Sequence, residues 1–152
     1  MVAEEIRELM DRLRERGGEE CIEEIGSGRV RTWNVDGCKV KASSCVMKVK
    51  FDCCADEPLS GEKGGCDLVL VFEDRVCIVE CTGGRLSNHD ARDKVKQVKK
   101  CLESLRRLSQ ACDERVRSVI YHNGADSTAV SRVRRELQGL NPKFLRCGDE
   151  IK

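Results

Sequence analysis

The stretch Asp67-Leu68-Val69-Leu70-Val71-Phe72-Glu73-Asp74-Arg75-Val76-Cys77-Ile78-Val79-Glu80-Cys81-Thr82 decides the reading of this chain. Two apolar runs rich in β-branched residues flank Glu73-Asp74, the pattern of a hairpin closed by a two-residue turn. Phe72 then opposes Arg75, and Asp67 opposes Glu80. Directly opposed residues share a face, with β-carbons roughly 5 Å apart. Pair types alternate away from the turn, so Asp67 and Glu80 fall on a non-hydrogen-bonded pair, the closer kind. Two carboxylates so placed repel each other and lose hydration beside apolar strands. A divalent cation relieves both costs, because hard cations prefer clustered oxygens. The pair is therefore a candidate metal site. The plain alternatives are a strand-opening Asp67 after Gly64-Gly65, and a Glu80 paired with Arg85 or a helix lysine. The same register opposes Cys66 and Cys81 on a wider, hydrogen-bonded pair, which predicts reduced thiols or bonds to other partners.

Outward from the hairpin, Ile6, Leu9, Met10 and Leu13 form one stripe of a helix over Ala3 to Arg16, stopped by Gly17-Gly18. Cys21 to Gly37 is ambiguous, with a strand around Val30 to Val35, and Asp36-Gly37 is a turn signal. Cys38 to Phe51 alternates as a strand with a break at Ser43-Ser44. Glu57 to Gly65 reads as a loop. Leu68 to Phe72 is apolar throughout, as expected of a central strand covered on both faces. Asn88 or Asp90 caps a long helix to about Ala111, with Val95, Val98, Cys101, Leu102, Leu105 and Leu108 as its buried stripe. A strand over Val116 to Tyr121, a turn at Asn123-Gly124, a helix to about Leu137 and an extended Lys143 to Arg146 complete the chain. The order α-β-β-β-α-β-α predicts an α/β fold: a mixed central β-sheet flanked by helices, in a single domain over residues 1–152.

Charge is abundant but nearly balanced, with a formal net charge of +1, so its distribution rather than its sum bears on partners. No apolar run has membrane-spanning length, and the segment to Arg16 is too charged for a signal peptide, which predicts a soluble cytoplasmic protein and no membrane partner. Eleven cysteines are many for a cytosolic domain. With heavy use of Lys, Arg and Glu, they fit a hyperthermophilic, archaeal source, where intracellular disulfides occur. No C-x-x-C pair exists and only His89 and His122 are present, so disulfides or buried thiols rank ahead of zinc.

This element order, with Asp67 opening one strand and Glu80 closing the next, resembles the PD-(D/E)XK, restriction endonuclease-like superfamily. The resemblance covers the topology from Ala3 to about Leu137. It implies a metal-dependent nuclease that cleaves DNA phosphodiester bonds, with Mg2+ or Mn2+ as cofactor. It implies metal binding by Asp67, Glu80 and a first-helix acid, for which Glu4, Glu5 and Glu8 are candidates and Glu5 is taken. The family often forms dimers, so a homodimer is implied too. Thr82 stands at the usual lysine position. A lysine displaced onto the following helix replaces it in some members; here Lys94 is the leading candidate, Lys96 the next. Without such a lysine, two expectations stand: metal-bound water alone is nucleophilic enough, or the chain is a catalytically inactive nucleic-acid-binding or assembly protein on the same fold. Asp90, Asp93, Lys94 and Gln97 recur at helical spacing and share a polar face.

Basic residues crowd the segment after the hairpin. Arg85, Arg92, Lys96, Lys99 and Lys100 are expected to meet a phosphate backbone, and Arg132, Arg134 and Arg135 form a second cluster. With so few aromatics, contact with duplex or branched DNA is expected rather than single-strand stacking. A charged surface of a heat-stable protein is the plain alternative. His122, before Asn123-Gly124, is expected to make a turn hydrogen bond.

Overall fold

The computed structural model describes residues 1–26, 28–50, 66–110 and 113–152. The predicted loop Glu57 to Gly65, the end of the strand at Phe51 and the predicted helix end at Ala111 lie outside the described residues. Helix α1 (Glu4–Cys21) leads into β1 (Ile22–Glu24), β2 (Val30–Val35), β3 (Cys38–Ser43), β4 (Cys45–Val49), β5 (Leu68–Phe72) and β6 (Val76–Cys81). Helix α2 (Asn88–Leu108), β7 (Val116–His122), α3 (Ser127–Glu136), β8 (Lys143–Arg146) and β9 (Glu150–Ile151) follow.

The hairpin forms in the expected register. Leu68 pairs with Val79, Leu70 with Cys77 and Val71 with Val76, and the Phe72 N–H donates to the Arg75 carbonyl at 2.8 Å. All residues of β5 and β6 are buried. They are the two middle strands of a six-stranded sheet ordered β1-β4-β5-β6-β7-β8, antiparallel through β6 and parallel from β6 to β8.

The fold is mixed α/β, but it has two mixed sheets rather than one. Strands β2, β3 and β9 form the second. The stretch read as one interrupted strand divides at Ser44, which takes the left-handed conformation at φ 64°. That corner sends β3 into the small sheet and β4 into the large one. The faces of the large sheet are therefore covered differently. Ile6, Leu9 and Leu13 of α1, Val95 and Val98 of α2 and Val133 of α3 pack with Val69, Val71, Val76 and Ile78. On the other face, Val40 and Ala42 of β3 and Ile151 of β9 pack with Leu68, Leu70, Phe72 and Val79. Helices were expected on both faces; a small sheet takes one of them.

Local departures have local causes. Gly17-Gly18 does not stop α1, which runs on to the buried Cys21, whose carbonyl accepts from the Lys50 N–H at 2.9 Å. Two glycines cost about 1 kcal/mol each in a helix, and packing overrides that. The α2 cap is Ser87, whose hydroxyl accepts from the Asp90 N–H at 3.1 Å. The α2 stripe is buried as expected except Leu102, which is half-buried against the core.

Among the described residues, disulfides join Cys38 to Cys147 and Cys66 to Cys101, while Cys45, Cys77 and Cys81 are buried free thiols. Cys66 has thus bonded elsewhere and Cys81 is reduced, as the register predicts. Among the described residues no helix is long and apolar enough to cross a membrane.

Candidate metal centre

The ladder of β5 and β6 stops at Leu68 and Val79. Beyond it, side chains replace backbone. In a continued ladder the Cys81 N–H would meet the Cys66 carbonyl. It meets Asp67 Oδ2 instead, at 2.9 Å. The Asp67 N–H in turn donates to Glu80 Oε2 at 2.6 Å. Each carboxylate is thus tied by one oxygen to the other strand's backbone. Cys66 leaves the strand path at this point and joins the helix-side core, where it bonds Cys101 of α2.

Glu80 is fully buried, and its second oxygen, Oε1, has no hydrogen-bond partner among the described residues. Burial drives the Glu80 carboxyl well above its ordinary range, and the nearby Asp67 charge pushes it the same way. The Lys94 ammonium and the hydrogen bond from the Asp67 N–H oppose them. Lys94 Nζ lies 3.9 Å from Asp67 Oδ2, with both side chains less than one-fifth exposed. Asp67, Glu80 and Lys94, picked from sequence, therefore meet at one point. Thr82 lies one step further along the edge. With Asp90, Asp93, Lys94 and Gln97 of α2 it lines a cavity of about 300 Å³. The polar face of α2 thus looks onto the same edge.

Other site candidates are not brought there. Helix α1 starts at the closed end of the hairpin: the Ala3 N–H donates to the Glu73 carbonyl at 2.9 Å. Glu5 Oε2 sits 3.6 Å from Arg115 Nε, and Arg115 also donates to the Asp74 carbonyl. The pair lies five residues away along β5, about 17 Å at the rise of a strand. Glu5 is therefore not a third ligand. Glu4 and Glu8 are exposed on the same helix, and Glu8 pairs with Arg12 at 3.4 Å. Arg85 pairs with Asp126 at 2.6 Å, not with Glu80. Arg92, Lys96, Lys99 and Lys100 are exposed on α2, and of the helix's basic residues Lys94 is the one that lines the cavity beside the pair. His122 Nδ1 accepts from the Gly124 N–H at 2.9 Å, the turn bond expected of it.

Asp36 was read only as part of a turn. The Asp36-Gly37 turn of the small sheet leans on the edge so closely that a β-carbon on Gly83 would lie 2.4 Å from the Asp36 carbonyl oxygen. Asp36 lines the α2 cavity and also a second cleft, of about 540 Å³, that includes Asp67. Asp36-Gly37 was legible as a turn, but no local signal tells which edge that turn touches.

The donor set suits a hard divalent ion. Glu80 Oε1 is a buried oxygen without a partner, beside a second carboxylate. Among the described residues no cluster of three or more His, Cys, Asp or Glu is placed to hold a metal. Magnesium commonly takes only one or two carboxylates and fills its other positions with water and phosphate oxygens. Comparison with protein-family models, curated proteins and solved structures finds no match.

Proposed function

We propose that this chain is a divalent-metal-dependent nuclease acting on DNA, with a restriction endonuclease-like arrangement of α1, β4, β5, β6, α2 and β7. The observation that carries the reading is the orphaned oxygen of the fully buried Glu80, beside Asp67 and faced by Lys94. An unpaired buried carboxylate is costly without a cation. Asp67 and Glu80 would hold Mg2+ or Mn2+. Bound there, the ion supplies Lewis-acid stabilisation of charge on the phosphate and makes an attacking water more acidic. Lys94 reaches the pair from the helix and supplies the cationic donor that Thr82 lacks; its ammonium orients that water or a phosphate oxygen. Glu80, whose carboxyl burial and Asp67 push above its ordinary range, would hold the ion as the carboxylate.

The test is cleavage of duplex and branched DNA with Mg2+ or Mn2+. Asp67→Asn and Glu80→Gln should each lose the metal-dependent product. If both variants cut as well as the parent, the reading is wrong.

A second reading, a non-catalytic nucleic-acid-binding or assembly protein, is favoured by a different observation. Both carboxylates already close the end of the ladder through backbone N–H groups. It calls for salt-dependent DNA binding, no cleavage and no metal-dependent rise in melting temperature.

A further inference from the structure

We propose that the cleft between β2 and the Asp67 end of β5 takes one unpaired nucleotide, so that the nucleic acid is single-stranded where it enters the site. The role of the adjoining phosphate rests on the nuclease reading; the binding itself does not. The cleft, of about 540 Å³, lies within the roughly 300–1,000 Å³ of ligand pockets. Asp67, one member of the proposed metal pair, stands in its wall. Trp33, the chain's one tryptophan, lines it together with Lys48 and Lys50.

The local chemistry suits a nucleotide. Glu23 Oε1 accepts from the Trp33 indole N–H at 3.1 Å and fixes the ring by its edge. Lys48 Nζ lies 6.0 Å from the ring centroid and 3.6 Å from Glu23. The ammonium stands over the ring, so a base that stacks there displaces it, and the phosphate of the same nucleotide takes the place of Glu23 as its partner. Lys50 is exposed and has no ion pair among the described residues, which leaves its charge for a phosphate. Paired bases present only their edges in the grooves, so a ring-and-lysine cleft of this kind selects an unpaired strand. Aromatics are too few along the chain for a stacking platform, yet the single tryptophan stands beside the site.

The emission of Trp33 reports the outcome directly. A short oligodeoxythymidylate, titrated in EDTA, should quench it saturably. Raising salt from about 50 to about 200 mM should weaken binding about sevenfold, as two lysine–phosphate contacts require; in Lys50→Ala the factor should fall to about threefold. Trp33→Leu, followed by anisotropy of a labelled oligonucleotide, should bind about tenfold more weakly. A blunt duplex should compete at least about tenfold less well. Unchanged emission at saturation overturns the proposal, as does equal binding of duplex and single strand. Parent-like affinity in both variants does so too; Lys50→Ala alters an exposed side chain and so does not hinge on folding. Quenching without metal-dependent cleavage of any substrate sinks the nuclease reading and supports the cleft. Cleavage with a silent Trp33 does the reverse.

Discussion

Glu80 has one oxygen on the Asp67 N–H and the other without a partner among the described residues, inside a strand with no exposed residue. Its folded pKa lies above the ordinary 4.5, so the folded chain holds the proton more tightly than the unfolded one. The stabilisation is complete below about 4.5 and is lost as pH rises through the raised value. In EDTA, the melting temperature should fall across that window, and Glu80→Gln, which stays neutral, should flatten the fall. A divalent ion competes with that proton, so added Mn2+ should raise the parent's melting temperature more above the raised pKa than below it, and leave Glu80→Gln unmoved. A parent whose metal response ignores pH contradicts the assignment. Lys94 makes the opposite kind of contribution. Lys94→Met removes a like charge from beside the ion, so Mn2+ should bind more tightly while cleavage drops by about 10²-fold. Weaker binding of Mn2+ in this variant would show that Lys94 acts through the fold.

At the scale of elements, the site is an edge where several turns converge. Gly83 follows β6 and meets the tip of the β2–β3 hairpin, with no room for a side chain. Gly83→Ala should push that tip away and cost about 1–3 kcal/mol, read as a lower urea midpoint with unchanged slope. A variant as stable as the parent would mean that the hairpin gives way freely. The Cys66–Cys101 disulfide ties the residue before Asp67 to the helix that carries Lys94. Much of this level was legible. Hydrophobic periodicity placed β5, β6, α2 and β7, and the even turn set the register. The break at Ser43-Ser44 was read too, but not that its two halves enter different sheets; that, the Ser87 cap and the run of α1 through Gly17-Gly18 are decided by what each segment packs against.

Across the whole molecule, Tyr121 joins the two sheets. Its hydroxyl, on β7 of the large sheet, donates to the Asp149 carbonyl at 2.6 Å and accepts from the Lys41 N–H at 3.3 Å. Burial pushes its pKa up to about 12, so the bond donor is retained through alkaline pH. Tyr121→Phe should cost about 1–2 kcal/mol and speed amide exchange in β3 and β9 ahead of β5 and β6. Uniform loss of protection would mean that the sheets open together. The Cys38–Cys147 disulfide, spanning 109 residues of sequence, closes the same junction.

The alternation of two apolar runs about an even turn was enough, on the sequence alone, to set Asp67 against Glu80, since side chains alternate with a period of two and a ladder cannot slip by one without turning its apolar face to water. That Thr82 carries no charge and that Lys94 lies on the helix after the hairpin were likewise plain in the sequence. Tertiary structure decided the rest. Glu5 is held at the closed end of the hairpin, Asp36 leans on the open end, and Trp33, Lys48 and Lys50 line the cleft beside Asp67. Local periodicity records which residues share a face, but which distant turn meets a given sheet edge depends on how the elements cross and pack, and no stretch of sequence carries that by itself.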